Sequence, residues 1–259
     1  MDKERARKIQ IHEERKELVV KSNDLIRNAR YVLSEQEQKI LIYLISKIDR
    51  DDIEIKSHKI SLKDYCEVAG IPYKNGGNKE QIKASLKSLR DKSWWIKTGA
   101  KKEILFSWIT EVEINGEIAE IELSQKLAPY LLQLKADFTK YELIEVLMLK
   151  GKYTIRLYEL LKSYLWQHEL NISVSELRDI INCHSYQQFK EFKRNVLSPA
   201  LKEINDYTAL QIEYKTITYR RKIENIVFQI GEKEGYQLGM QLYYNKKQRL
   251  NRSEETDDE

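Results

Sequence analysis

Helix, short strand, helix, turn, helix and hairpin follow one another between residues 34 and 123, and the same order returns after residue 150. This double run predicts an α+β chain of two tandem winged helix-turn-helix domains. Two observations support it. Asn115-Gly116 is the strongest short hairpin signal in the chain. A constant offset of 115 also pairs Ile40 with Ile155, Ile42 with Leu157, Tyr43 with Tyr158, Ile45 with Leu160, Leu62 with Leu177, Ile82 with Leu197, Leu86 with Leu201 and Leu89 with Ile204.

Ser34-Glu35-Gln36-Glu37 reads as a capping box, followed by an amphipathic helix that ends near 49–52. Ile53, Ile55 and Ile60 predict a short strand. Ser61 caps a second helix that stops at Gly70-Ile71-Pro72, and the loop 75–78 opens a third with core positions Ile82, Leu86 and Leu89. Strands are expected at 94–98 and 103–109, joined by Gly99-Ala100-Lys101-Lys102, then a hairpin turning at Asn115-Gly116. In the second half, helices are expected at 152–167, 175–182 and 186–206, with strands at 170–174, 210–218 and 223–230. Pro199 inside the last helix removes a backbone bond and predicts a kink after Asn195. The expected units are a charged arm at 1–17, a first domain at 18–135, a second at 136–235, and a disordered charged tail at 236–259.

An apolar fraction of 41% supports a sizeable core and excludes a disordered or collagen-like chain. No 18-residue apolar run exists, so no transmembrane helix is expected. The charged N-terminus lacks the apolar centre of a signal peptide, and two cysteines build no disulfide framework. A soluble cytoplasmic protein is expected.

Charge is unevenly placed. Residues 78–102 hold eight Lys/Arg (Lys79, Lys83, Lys87, Arg90, Lys92, Lys97, Lys101, Lys102) against two carboxylates, a net of +6. Residues 185–222 hold Lys190, Lys193, Arg194, Lys202, Lys215, Arg220, Arg221 and Lys222 against four carboxylates, a net of +4, and the remainder is acidic. Two basic islands point to a polyanion with two contact surfaces. On the helix from Tyr186, apolar Phe189, Phe192, Val196, Leu197, Ala200, Leu201 and Ile204 form one stripe, leaving Gln187, Lys190, Glu191 and Arg194 opposite, with Lys193 at the margin. Arg can bridge guanine, Gln can pair with adenine and Lys can neutralise phosphate, the equipment of a major-groove reader. Lys215, Arg220, Arg221 and Lys222 supply a basic wing. The first-half stripe Lys79, Lys83, Lys87 and Arg90 suits phosphate contact better than base readout. Its wing is expected at Gly99–Lys102, with Lys101 and Lys102. The Asn115-Gly116 hairpin is expected to place Glu111, Glu113, Glu117, Glu120 and Glu122 on one face and Val112, Ile114, Ile118, Ile121 and Leu123 on the other. That carboxylate ladder would repel phosphate, so structure or a protein contact is expected there.

The four histidines form neither H-x-H nor H-E-x-x-H, and there is no P-loop, no G-x-G-x-x-G and no C-x-x-C. Cys66 and Cys183 read as small core residues, and Trp94, Trp95, Trp108 and Trp166 as seam packing rather than base stacking. No enzyme, metal or cofactor is predicted.

The stretch Val20-Lys21-Ser22-Asn23-Asp24-Leu25-Ile26, with Leu33-Ser34-Glu35-Gln36-Glu37-Gln38-Lys39-Ile40 after it, resembles the opening of theta-type plasmid replication initiators, the iteron-binding Rep proteins. The runs from Tyr153 to Leu161, from Phe189 to Leu197 and from Ala200 to Asn205 resemble their second domain, so the likeness covers about residues 18–232. It implies binding of double-stranded DNA at direct repeats of a plasmid origin, with the second domain as principal base reader. The first domain is then expected to contribute backbone contact and, in an alternative state, a dimer interface. The resemblance also implies iteron binding as a monomer, self-association with promoter repression as a dimer, and recruitment of the host initiator and replicative helicase, with no membrane partner. By position the reading face falls on Gln187, Lys190, Lys193 and Arg194, with Arg220 and Arg221 in the wing. A winged-helix regulator on one palindromic operator, a nickase and a protein-only scaffold stay open as alternatives.

Overall fold

The computed structural model describes residues 3–73, 77–99 and 101–234, so the tail expected at 236–259 lies outside the described residues. The expected N-terminal arm carries a helix, α1 (Lys3–Arg15). Strand β1 (Leu18–Ser22) leads into α2 (Asn23–Asn28), whose first turn is capped by the Ser22 hydroxyl accepting from the Leu25 N–H. At the next helix, α3 (Glu35–Ser46), the capping box forms as expected. The Ser34 hydroxyl accepts from the Glu37 N–H, and the Glu37 carboxylate accepts from the Ser34 N–H at 2.7 Å. Residues Ile40 to Ile45 are buried on every side of α3, which makes it the central helix of its domain.

Strand β2 (His58–Ser61) is shorter than Ile53, Ile55 and Ile60 suggested. Ile53 is 87% exposed, whereas Ile55 is buried in a loop whose backbone N–H and C=O both bond the Gln125 side chain. Ser61 caps α4 (Leu62–Ala69), which ends at Gly70 in the left-handed region, φ 71°. Helix α5 (Gly77–Asp91) buries Ile82, Leu86 and Leu89, as expected. Strands β3 (Ser93–Gly99) and β4 (Lys102–Ser107) form a hairpin, followed by β5 (Ile109–Asn115) and β6 (Ile118–Leu123), whose turn places Gly116 at φ 63°.

Pairing corrects the expected wing. The three-stranded sheet runs β2-β6-β5, while β3 and β4 pair only with each other among the described residues. The topological wing of the first domain is therefore β5–β6, the glutamate-rich hairpin. The Gly99–Lys102 turn belongs to a hairpin inserted between α5 and that wing. Ile118 is a second correction. Ala119, Ile121 and Leu123 point inward, so alternation sends Ile118 outward with Glu120 and Glu122, and Glu117 lies in the turn.

Helix α6 (Ala128–Leu131), strand β7 (Phe138–Glu142) and α7 (Leu143–Met148) follow. β7 pairs antiparallel with β1, from Leu18↔Glu142 to Ser22↔Phe138, across the boundary expected at 135. The second winged helix comprises α8 (Lys152–Lys162), β8 (Glu169–Ser173) and α9 (Val174–Ile180). Its third helix is α10 (Phe189–Phe192), a π-helical turn at Lys193–Leu197 and α11 (Ser198–Tyr207), and strands β9 (Leu210–Tyr219) and β10 (Lys222–Glu232) complete it. Its sheet order, β8-β10-β9, repeats β2-β6-β5 strand for strand. The offset of 115 is kept by buried Ile40/Ile155, Leu86/Leu201 and Leu89/Ile204 but breaks at the second helix. There the capping serines Ser61 and Ser173 are 112 residues apart, and Leu62 opens α4 whereas Leu177 sits one turn inside α9.

Long-range polar contacts tie these parts together. Arg7 of α1 bonds Asp64 at 2.6 Å and Glu67 at 2.7 Å, and buried Arg15 donates to the carbonyls of Glu67 and Val68 at the end of α4. At the seam between β1, β7 and α8, Lys21 Nζ lies 2.6 Å from Glu159 Oε1, with the two side chains only 2% and 1% exposed. Tyr141 donates its hydroxyl proton to the same oxygen, and Arg156 stands 3.6 Å from Oε2. Burial alone would raise the Glu159 carboxyl, but Lys21 and Arg156 hold it below its ordinary value. Burial draws the Lys21 ammonium below its ordinary value against the pull of Glu159.

Removing one member of such a pair strands the other. Glu159→Gln should lower the unfolding free energy by about 3–5 kcal/mol, whereas Lys21→Met/Glu159→Gln, which leaves the buried net charge unchanged, should sit within about 1 kcal/mol of wild type. Urea unfolding of the two variants measures both, and equal losses would contradict the pairing argument.

Candidate nucleic-acid interface

The third helix of the second domain is amphipathic as its spacing predicts. Phe192, Val196, Leu197, Ala200, Leu201 and Ile204 are buried, and Lys190, Glu191, Lys193 and Arg194 are exposed. Among the described residues Lys190 and Lys193 make no ion pair, and Arg194 has a single side-chain contact, Nε to Asn195 Oδ1 at 3.4 Å. The helix begins at Phe189 rather than Tyr186, because Gln188 is extended (φ −82°, ψ 138°). Gln187 therefore stands in the preceding loop, off the helical face. Its side chain donates to the His184 carbonyl at 3.0 Å, and its own carbonyl accepts from Arg178 at 3.1 Å.

Pro199 acts as expected in kind but not in form. The backbone widens into a π turn in which the Ser198 N–H bonds the Lys193 carbonyl, and α11 restarts with Pro199 in its first turn. A proline there has no N–H to satisfy, so the extra residue removes the clash without a break.

The wing is a ten-residue strand, a two-residue turn and a return strand, with Tyr219↔Lys222 as the last pair. Arg220 and Arg221 form that turn at φ 46° and 67°. Two consecutive positive-φ residues are usually Asn-Gly, and each arginine there costs about 1 kcal/mol. Lys215, Arg220, Arg221 and Lys222 are all exposed, and Arg220 lies over the Tyr219 ring at 5.1 Å. Lys215, Arg221 and Lys222 make no ion pair among the described residues. The wing thus holds unneutralised cations on a strained tip.

The first domain is different. Lys79 donates to the Gly116 carbonyl at 2.7 Å, Lys83 pairs with Glu80 at 3.0 Å, Lys87 pairs with Asp91, and Arg90 lies 3.6 Å from Asp91. The Lys87 hydrogen bond holds the Asp91 carboxyl below its ordinary value. Exposed pairs of this kind are screened by solvent and contribute little, so a phosphate can displace them. Lys101 and Lys102 are exposed on the inserted hairpin rather than on a wing. On the true wing, Glu111 faces Glu122 and Glu113 faces Glu120, and the like-charge contacts are eased by Ser57 and Lys59 at Glu120. Those two bonds hold the Glu120 carboxyl below its ordinary value.

Trp94 and Trp108 pack inside with Tyr31 and Phe106, Trp108 meeting Tyr31 edge-on at 5.0 Å, whereas Trp95 and Trp166 are exposed. Both cysteines are free and buried. Arg178 is the residue the sequence did not single out. From α9 it spans the Phe192 ring at 4.9 Å and the Gln187 carbonyl, which fixes the loop entering the reading helix. Among the described residues no three His, Cys, Asp or Glu side chains cluster to hold a metal, and no helix is long and apolar enough to cross a membrane.

Comparison with known proteins converges on this arrangement. Residues 18–162 match the first winged-helix domain (WH1) of initiator replication proteins, and residues 173–230 match the second (WH2) of initiator Rep proteins. A replication initiation protein of Escherichia coli is 27% identical over 227 residues, covering 83% of this chain and 70% of its own length. An uncharacterized 27.6 kDa protein of the same species is 28% identical over 216 residues, covering 77% and 90%. With two winged helices in tandem and both halves matched in order, the chain belongs to the family of theta-type plasmid replication initiator (Rep) proteins.

Proposed function

We propose that the chain initiates plasmid replication by binding direct repeats at its origin, reading bases with Lys190, Lys193 and Arg194 of the second domain and gripping the backbone with the Lys215–Lys222 wing. The observation that carries this reading is the coincidence of exposed, unpaired cations on the third helix with a strained diarginine wing in the same domain. Gln187 serves from the loop before the helix. Lys79, Lys83, Lys87, Arg90, Lys101 and Lys102 of the first domain add phosphate contacts without base readout. The protein works in the cytoplasm and without catalysis. It recruits the host initiator and replicative helicase once bound, and represses its own promoter as a dimer.

Footprinting and quantitative binding on the DNA flanking its gene test this. Several regularly spaced protected direct repeats are expected, and a slope of log K against log salt near −7 if about eight phosphates are neutralised. A single inverted repeat would make the chain a promoter regulator instead. Arg194→Ala should cost about 1–3 kcal/mol on cognate DNA and relax one base position, whereas Lys83→Ala should weaken all sequences alike. Wing strain gives a sharper outcome. Arg220→Asn/Arg221→Gly should stabilise the fold by about 1 kcal/mol while lowering the salt slope by about two. Thermal unfolding and salt titration of one variant read both, and a gain in stability with unchanged binding would remove the wing from the interface.

A further inference from the structure

Arg156 lies in the middle of α8, its side chain buried, and its fork reaches two separate stretches of chain, 26–31 and the end of α9. Nη1 donates to the Tyr31 hydroxyl at 2.6 Å. Nη2 faces the carbonyls of Ile26 at 3.1 Å and Ala29 at 3.2 Å, in the segment that enters the first domain. It also faces the carbonyl of Ile180 at 3.2 Å, the last residue of α9, where the chain turns toward the reading helix. The guanidinium stacks on the Tyr31 ring, 4.2 Å from its centroid.

Both ends of this bridge continue toward the cationic helices. From Ile180 the chain runs through Asn182, whose amide donates to the Tyr31 carbonyl at 3.3 Å, and then the Arg178-anchored loop into α10. From Tyr31, ring contacts pass to Trp94 and Trp108 beside α5, and Ser34 opens α3, whose Glu37 accepts Lys92, just beyond the end of α5, at 2.7 Å. An apolar side chain of similar length would fill the space without burying a charge, and a lysine would present one point charge. A planar fork can hold the two segments at one separation.

We propose that Arg156 is a positioning residue that fixes the spacing between the two DNA-contacting helices, and so sets which separation of contacted segments the protein accepts. This rests on the DNA-binding reading above. With the bridge in place, the second contact is made at high effective concentration only when the DNA spacing matches. With it loosened, the two domains bind as tethered modules.

The test uses the full chain on two duplexes, one carrying a protected repeat from the gene's flank and one with five base pairs inserted between the segments the two domains protect. The insertion should weaken the wild type by about tenfold or more and Arg156→Lys by less than about threefold, with Arg156→Lys also weaker on the intact duplex. Circular dichroism checks that the variant is folded. Tyr31→Phe, which removes one acceptor and keeps the ring, is the second variant and should give an intermediate penalty that carries the test if Arg156→Lys does not fold. A folded Arg156→Lys or Tyr31→Phe with the wild-type penalty, or a wild type indifferent to the insertion, overturns the inference alone. No sequence-specific footprint by the wild type overturns the DNA-binding reading as well.

Discussion

Taking an ammonium, a guanidinium and a carboxylate out of water costs several kcal/mol for each ion, and the cost is recovered only where the geometry satisfies every partner. Lys21, Arg156 and Glu159 meet that condition in part where β1, β7 and α8 converge: Lys21 and Tyr141 both bond Glu159 Oε1, while Glu159 Oε2 and Arg156 Nε have no hydrogen-bond partner among the described residues. Lys21 lies on β1 and Arg156 and Glu159 on α8, so the ion cluster ties together parts of the chain 138 residues apart. A seam whose charges have fixed acceptors cannot slide, because each displaced position leaves an ion without its partner.

On that shared base the two winged helices diverge in charge while keeping one topology. The first domain's wing carries Glu111, Glu113, Glu120 and Glu122, and the second's carries Lys215, Arg220, Arg221 and Lys222. Their third helices differ in parallel. Lys83 and Lys87 have carboxylate partners one turn away, as Lys202 has in Asp206 at the far end of the second domain's helix, whereas Lys190 and Lys193 at its start have none among the described residues. A helix whose cations are loosely paired, beside a wing that repels phosphate, is suited to backbone contact rather than to base readout. The duplicated fold is thus compatible with unequal duties, and the acidic wing is a surface on which DNA is not expected.

What could be seen in the sequence follows the range of the interaction responsible. The capping box at Ser34, the hairpin turn beside Asn115-Gly116 and the buried stripe from Phe192 to Ile204 depend on residues within a few positions of one another, and all three form, the turn one residue later than expected, at Gly116-Glu117. The first wing differs from its expected place because it depends on β2 pairing with β6 about sixty residues away, which no local pattern separates from the nearer hairpin 93–107. Gln187 left the helical face because Arg178, nine residues earlier, holds its carbonyl outside the helix. Pro199 announced a disturbance but not its form, since a kink and a π turn both relieve the same missing N–H. Of the seam, Lys21 and Glu159 are separated by 138 residues and show no pattern that would pair them.

The two wing turns carry the last step. In the acidic wing the positive φ falls on Gly116, where it costs nothing sterically. The two-residue turn of the basic wing instead requires positive φ at two consecutive positions, Arg220 and Arg221, where Asn-Gly would serve the β9–β10 register with less strain. Among the described residues nothing repays this, since the turn is exposed and its one ring contact there is Arg220 over Tyr219. The proposed contact with DNA would repay that strain, because a phosphate backbone meeting both guanidinium groups would supply more than about 2 kcal/mol.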